Sequence, residues 1–214
     1  MRTWLEHDWG KIETQCHVSS LQRAKVDPGE EDLALSLGFL SADDDKDYWY
    51  NCRSTRVRLK KNARKPKGQL VGVQTDPVPE TKEIYKQWCE EKGFSMYEGD
   101  DEFIPEDTCI LYYLNNDLVA YSKIRIYDTS GYLLVNAGII PNVAMETLRW
   151  EMYLLKQLGK EYCYLGQGYE KSGLWKSKQS TFEWWTGSKW SKDVTLYDQL
   201  CIQDSKIKYT KPEL

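Results

Sequence analysis

The order of secondary structure predicted for residues 109–166 limits the possible folds of this chain more than any other feature. Two strand-like segments flank Asn115-Asn116-Asp117, a combination that predicts a β-hairpin. The predicted elements are strands over 109–114, 118–127 and 132–140, a helix with apolar residues at helical spacing over 141–158, and a strand over 161–166. A meander followed by a helix and a returning strand predicts an α/β (α+β) fold, with a mixed, largely antiparallel sheet and flanking helices.

The sequence before this region predicts a small N-terminal subdomain. It contains a short predicted helix over residues 29–40 with Gly38 at its end, and a predicted strand over residues 48–59. Prolines cannot continue a regular element, so Asp76-Pro77-Val78-Pro79 predicts a boundary near Thr75. We therefore expect a subdomain over residues 1–75 and a second domain over 76–214, which opens with a helix over 80–92 stopped by Gly93.

Charge is strongly segregated along the sequence. The net charge is −4, yet residues 48–75 contain no acidic residue and hold eight of the 29 basic ones. These eight are Arg53, Arg56, Arg58, Lys60, Lys61, Arg64, Lys65 and Lys67. Such a segment is either a solvated charged surface or a local binding site for a polyanion. Aromatic residues directly upstream, at positions 48–50, favour the polyanion, and nucleic acid in particular.

Composition excludes several protein classes. The 41% hydrophobic and 13% aromatic content of the 214 residues is typical of a folded chain, and no apolar run is long enough for a membrane span or a signal peptide. The six cysteines are widely spaced, which predicts reduced thiols in a cytoplasmic protein. Only His7 and His17 are available for histidine chemistry, and no phosphate-loop, metal-site or nucleophile-elbow motif occurs.

The best candidate site follows the last predicted strand. Gly166-Gln167-Gly168 gives open backbone, and Ser172, Lys176 and Lys178 follow it. This pattern is compatible with anion binding or with a simple turn. Four aromatic residues follow at positions 182–190. This cluster is compatible with core packing or with stacking on nucleic-acid bases. The four residues are Phe182, Trp184, Trp185 and Trp190.

Short motifs along nearly the whole chain occur in a characteristic order. In the second half they are 115–120, 132–141, Thr147-Leu148-Arg149, 156–166, and Ser172 with Trp175-Lys176-Ser177-Lys178. Weaker ones in the first third are Leu37-Gly38-Phe39, Tyr50-Asn51-Cys52 and residues 54–62. With these motifs the chain resembles the arginyl-tRNA–protein transferases and their bacterial leucyl-transferring relatives. The sequence departs from the family in two places, since Cys52 alone remains of the N-terminal cysteine group and Phe182-Glu183 replaces the usual Arg-Pro.

The resemblance implies a GNAT-like acyltransferase fold that uses aminoacyl-tRNA, needs no cofactor and transfers an arginyl- or leucyl-type group to a protein N-terminus or another amine. It implies no metal site, because only Cys52 of the family's N-terminal cysteine group is present. Gly166, Gln167, Ser172, Lys176 and Lys178 are then expected to contact the oxyanion and the tRNA end, with Lys178 and Ser172 among the catalytic residues. The expected proton acceptor is Tyr169 or Glu170, and the expected tRNA phosphate contacts are Arg56, Arg58, Lys60 and Lys61.

Three alternatives stay open at this point. Arg149 either binds substrate at the same site or pairs along its helix with Glu146 or Glu151. A CoA-dependent N-acyltransferase would share the fold, although the sequence before the helix over 141–158 lacks the [QR]xxGx[GA] motif that cradles a pyrophosphate. A non-catalytic nucleic-acid-binding or adaptor protein would keep the basic segment without the chemistry. The sequence predicts no membrane association and does not determine the oligomeric state.

Overall fold

The computed structural model describes residues 1–5, 22–41, 48–51, 53–59, 65–93, 103–168 and 173–204. The strands within these segments are β1 (Arg2–Leu5), β2 (Gln22–Lys25), β3 (Leu40–Ser41), β4 (Tyr48–Asn51), β5 (Ser54–Arg58), β6 (Val71–Thr75), β7 (Asp107–Leu114), β8 (Asp117–Ile126), β9 (Ser130–Gly138), β10 (Tyr162–Gln167), β11 (Phe182–Trp185) and β12 (Trp190–Ser191). The helices are α1 (Glu31–Ser36), α2 (Glu80–Lys92), α3 (Val143–Gln157) and α4 (Val194–Asp204). None of these helices combines the length and the apolar character that a membrane crossing requires.

The chain divides into two compact units. The first contains Met1–Arg58 and Tyr164–Leu214, and the second contains Leu59–Cys163. Neither division lies at the predicted boundary near Thr75. The physical reason is that β6, which ends at Thr75, pairs along its whole length with β7, so the residues on both sides of the Pro77–Pro79 linker belong to the second unit.

The second unit contains the predicted meander. Strands β6, β7, β8 and β9 pair antiparallel in that order. The hairpin turn between β7 and β8 places Asn115 and Asn116 at φ 52° and 73°, the left-handed conformation that two-residue hairpin turns need and that asparagine tolerates. The mixed α+β fold with a mostly antiparallel sheet is thereby confirmed. Strand β6, whose residues are mostly exposed, was not predicted from the sequence.

Helices α2 and α3 cover opposite faces of this sheet. Alternate residues of a strand point to opposite faces. Leu111 packs in a core cluster with Ile84 and Tyr85 of α2, whereas the Tyr112 hydroxyl contacts the backbone carbonyl of Thr147 in α3. The predicted bounds of α2 are confirmed, including its end at Gly93 with φ 68°. Helix α3 begins two residues later than predicted.

The first unit contains two antiparallel groups of strands. One sheet has the order β1-β2-β4-β3. In the other group β11 pairs with both β5 and β12. Helix α4 packs on β11 through Tyr197, whose ring centroid lies 4.8 Å from that of Phe182 and 5.9 Å from that of Trp184. Phe182 and Trp184 of the predicted aromatic cluster are therefore part of a hydrophobic core.

Two predicted elements of the first unit need correction. The single strand predicted over 48–59 is two strands, because Arg53 has φ 43° and turns the chain from β4, in one sheet, to β5, in the other. The observed helix α1 is shorter than the helix predicted over 29–40. The helix ends after Ser36, and Gly38 adopts φ 80°. Four described cysteines, Cys89, Cys109, Cys163 and Cys201, are buried and form no disulfide among the described residues.

Candidate functional site

The candidate site lies in the first unit, at the carboxyl end of β10. Strand β5 holds this end in place: the Thr55 hydroxyl donates to the Gly166 carbonyl at 2.6 Å, and the Gly168 N–H donates to the Arg53 carbonyl at 3.0 Å. Gly166 has φ 82°, a conformation that favours glycine. The backbone therefore changes direction here while remaining tied to a neighbouring strand.

The two glycines of this strand end have different surroundings. A Cβ atom on Gly168 would lie 2.2 Å from the Tyr197 hydroxyl and 2.7 Å from a methyl carbon of Thr55, so only glycine fits between β5 and α4. A Cβ atom on Gly166 would meet nothing closer than Lys176 Nζ, at 3.5 Å. Gly168 therefore serves close packing, whereas Gly166 leaves space next to the lysine amine.

Lys176 reaches this strand end from the 3₁₀ turn Lys176–Lys178. Its side chain is buried, and its Nζ donates to the Gln167 carbonyl. No carboxylate of the described residues forms an ion pair with it. Desolvation lowers the pKa of Lys176 to about 7, and Cys201 opposes this shift. A large part of the Lys176 population is therefore a neutral amine at neutral pH.

Helix α4 holds the backbone on both sides of residues 169–172. The Tyr197 hydroxyl donates to the Gly173 carbonyl at 3.1 Å, and the Cys201 thiol lies 3.6 Å from the Gly168 carbonyl. Arg53 forms a buried ion pair with Asp204. Burial raises the pKa of Cys201. The strand end is thus packed among groups that carry no net charge at neutral pH.

The structure brings together three of the predicted site residues, namely Gly166, Gln167 and Lys176. Lys178 lies at the end of the same 3₁₀ turn with an exposed side chain. Tyr169, Glu170 and Ser172, which the sequence analysis places among the catalytic residues, lie outside the described residues. Their predicted roles stay predictions.

The predicted phosphate contacts have different environments. Arg56 is buried, its Nε donates to Glu183 Oε2 at 2.9 Å, and its guanidinium carbon lies 3.9 Å from the ring centroid of Trp190. This burial does not support a contact between Arg56 and phosphate, because the guanidinium group is engaged inside the protein. Arg58 is exposed and lines a groove of about 220 Å³ with residues 179–183, Lys192 and Val194. Lys60 and Lys61 lie outside the described residues.

Arg149 lies on α3 in the second unit, with an exposed side chain. The alternative that it pairs with Glu151 is wrong, because Glu151 is fully buried on another side of the helix. Side chains two positions apart on a helix do not face each other. Glu151 instead accepts hydrogen bonds from Ser122 and, at 2.9 Å, from the Asn136 side-chain amide.

The buried polar cluster of Glu151, Ser122 and Asn136 was not predicted from the sequence. Burial raises the pKa of Glu151 to about 8, although the hydrogen bonds from Ser122 and Tyr112 oppose the shift. Its Oε2 atom has no hydrogen-bond partner in the described part of the chain. The sequence did contain a signal, since Glu151 lies between the buried residues Thr147 and Leu155 at four-residue spacing.

A cleft of about 360 Å³ lies elsewhere in the second unit, beside the first turn of α3. Its walls come from the end of α2, the end of β9 and the connection to α3. The lining residues are Trp88, Glu91, Lys92, Asn136 and 138–144. No group of three or more His, Cys, Asp or Glu side chains among the residues described could hold a metal ion, in this cleft or elsewhere.

No protein-family model matches the sequence, and no curated protein matches it. Several solved structures are similar in fold. One is the C-terminal domain of a protein from Agrobacterium fabrum that is named as a lysylphosphatidylglycerol synthetase, with TM-score 0.42, 14% identity, and coverage of 67% of this chain and 53% of that one. A GCN5-related N-acetyltransferase from Kribbella flavida has TM-score 0.40 and 13% identity, with coverage of 66% and 55%.

A third similar structure is L-PGS from Bacillus licheniformis, with TM-score 0.40, 12% identity, and coverage of 66% of this chain and 50% of that one. The chain thus spans about half the length of each of these structures. Similarity at this level assigns neither a reaction nor a ligand to the chain.

Proposed function

We propose that this protein is an acyltransferase that takes an aminoacyl group from tRNA and joins it to an amine, such as the N-terminus of a protein. The observation that carries the proposal is the contact of the Lys176 amine with the Gly166–Gln167 end of β10. This contact combines the open backbone at Gly166 with a buried amine. The exposed Lys178 lies two residues after Lys176 in the same 3₁₀ turn. The resemblance of this segment to the tRNA-dependent transferases supports the same assignment.

The reaction makes modest chemical demands. The ester bond of an aminoacyl-tRNA is already activated, so the protein mainly has to orient two substrates, remove one proton and stabilise an oxyanion. An α-amine has a pKa of about 7.7–8.0, so a substantial fraction is neutral near pH 7. A protein with two histidines can therefore carry out this reaction without a strong base.

The remaining predicted residues keep the following roles in this proposal. Arg58 and Lys178 are exposed and able to contact phosphate. Lys60 and Lys61, which lie outside the described residues, keep the phosphate-binding role that the sequence predicts. Phosphate contacts of this kind add affinity without selecting a sequence. Ser172 remains the proposed oxyanion contact, and Arg149 remains a proposed substrate contact.

The test is a transfer assay with a mixture of radiolabelled aminoacyl-tRNAs and a cell extract as the source of acceptors. The proposal predicts that label moves from tRNA to protein or to a smaller amine, with leucyl- or arginyl-tRNA as donor. The double variant Arg58→Ala with Lys178→Ala should weaken tRNA binding, with Lys189→Ala as the matched control on an exposed hairpin. Binding of tRNA without transfer of any aminoacyl group would instead indicate a non-catalytic nucleic-acid-binding protein.

The cleft beside α3 favours a second candidate, a CoA-dependent N-acyltransferase. The N–H groups of the first helical turn have no partners within the helix and bind phosphate groups readily. The wall of this cleft carries one positive charge, at Lys92, and one negative charge, at Glu91, so the helix N–H groups carry the argument. Retention of the protein on immobilised CoA, combined with no affinity for tRNA, would select this candidate over the tRNA-dependent one.

A further inference from the structure

The Lys176 amine has the hydrogen bonding of a group that can accept a proton. Among the described residues, its Nζ donates a hydrogen bond to the Gln167 carbonyl alone. A neutral primary amine that donates one N–H keeps its lone pair free for another group. A Cβ atom on residue 166 would lie 3.5 Å from Lys176 Nζ. Because residue 166 is a glycine, it does not cover that side of Nζ.

Strand β11 and helix α4 pack against the 3₁₀ turn that holds Lys176. Their titratable groups are Glu183 of β11 and Tyr197, Asp198, Cys201 and Asp204 of α4. Arg53 is paired with Asp204, and Arg56 is paired with Glu183. Burial raises the pKa of both Tyr197 and Cys201, so both are neutral at neutral pH. Desolvation is the larger cause and brings the pKa of Lys176 to about 7, although Cys201 opposes this shift.

We infer that Lys176, as a neutral amine, is the catalytic residue that takes the proton from the attacking amine of the acceptor. This inference rests on the proposed function, and it replaces Tyr169 and Glu170 in that role. Lys176 is thereby a proton acceptor and not the cationic substrate contact that the sequence predicts.

The proposed step is balanced in atoms and protons. The acceptor nitrogen attacks the ester carbonyl carbon of the aminoacyl-tRNA, forming a C–N bond and an oxyanion. Lys176 Nζ removes one proton from this nitrogen and becomes an ammonium group. As the oxyanion collapses, the C–O bond to the ribose breaks and the ammonium gives its proton to the leaving ribose oxygen. The products are an amide and free tRNA, and Lys176 is neutral again.

The test compares pH profiles of single-turnover transfer for the wild-type protein, Lys176→Met and Lys176→Arg. Arginine keeps a donor for the Gln167 carbonyl but stays protonated at every accessible pH, so it cannot act as the base. General acid–base groups contribute about 100-fold to 10,000-fold, and we expect a loss in this range for both variants. Lys189→Met, on the exposed β11–β12 hairpin, is the matched control with unchanged rate.

The shape of the pH profile separates this role from a structural one. The acceptor amine titrates identically in all the reactions, so a limb near pH 7 that occurs only with the wild-type protein belongs to Lys176. A variant that transfers at the wild-type rate with the wild-type profile would overturn the inference and leave the proposed function intact. A wild-type protein that transfers no aminoacyl group would overturn both.

A measurement on the wild-type protein covers the case in which the variants do not fold. Trace acetylation by acetic anhydride across a pH series, read by peptide mass spectrometry, gives the pKa of each lysine. We expect a value near 7 for Lys176. An ordinary value for Lys176, about 10.4, would overturn the inference.

Discussion

Replacement of Glu151 by glutamine tests how the buried cluster of the second unit depends on pH. The Glu151 carboxyl is fully buried, accepts hydrogen bonds from Ser122 and Asn136 at Oε1, and has no partner at Oε2 in the described part of the chain. Glutamine has nearly the same shape and keeps an oxygen acceptor. Because it cannot ionise, it imitates the protonated form of Glu151 at every pH.

The size of the effect follows from the pKa of Glu151, which burial raises from 4.5 to about 8. A raised pKa in the folded state means that the folded protein holds a proton that the unfolded chain releases. Stability is therefore complete below pH 4.5 and falls as the pH rises towards 8. At ~1.4 kcal/mol per unit, the loss is about 3 kcal/mol at pH 7 and about 5 kcal/mol at pH 8.

The assay is urea unfolding of the wild-type protein and of Glu151→Gln between pH 4.5 and 9. We expect the variant to match the wild-type protein at the acidic end and to become progressively more stable up to about pH 8, with no further divergence above it. Glu90→Gln, at an exposed position of α2, is the matched control without this divergence. A constant difference in free energy of unfolding across the whole range would refute the argument.

Three further predictions concern the first unit. Gly168→Ala should lower the free energy of unfolding by about 1–3 kcal/mol, because its Cβ would lie 2.2 Å from the Tyr197 hydroxyl, and adding Tyr197→Phe should recover part of the loss in the same thermal unfolding assay. Arg56→Ala alone should cost about 3 kcal/mol, because the poorly hydrated Glu183 carboxylate then keeps only the exposed Lys192, 3.8 Å away, as an ion-pair partner, and removing both Arg56 and Glu183 should cost less than the sum of the single changes. Arg58→Ala should reduce the slope of tRNA affinity against salt concentration by about one ion, and an unchanged slope in filter-binding titrations would exclude a phosphate contact at this position.

The parts of the fold that the sequence predicts well depend on local patterns. Helix α2 ends at a glycine, and the turn at Asn115 and Asn116 combines two residues that tolerate positive φ. Strand β6 was missed because it is a short strand at the edge of the meander whose residues are mostly exposed, so it buries no apolar side of its own. The separation of β4 from β5 depends on positive φ at Arg53, a conformation that few non-glycine residues adopt. No local sequence pattern predicts this conformation at an arginine.

The candidate site shows the same limit. Gly166, Gln167 and Lys176 are close in sequence, so their contact could be anticipated. The burial of Arg56 could not, because its partner Glu183 is 127 positions away and the pairing exists only after β5 and β11 come together. The low pKa of Lys176 likewise depends on burial against α4, which a loop-like sequence does not reveal.

The measurement that tests the central claim most directly is the fate of a labelled aminoacyl group in a single turnover with the wild-type protein. An ester on tRNA is released by mild alkali, whereas an amide survives it. The account predicts that alkali-stable label appears on an amine acceptor at the same rate as free tRNA is formed. Label that stays on tRNA, or that leaves only as the free amino acid, would contradict it.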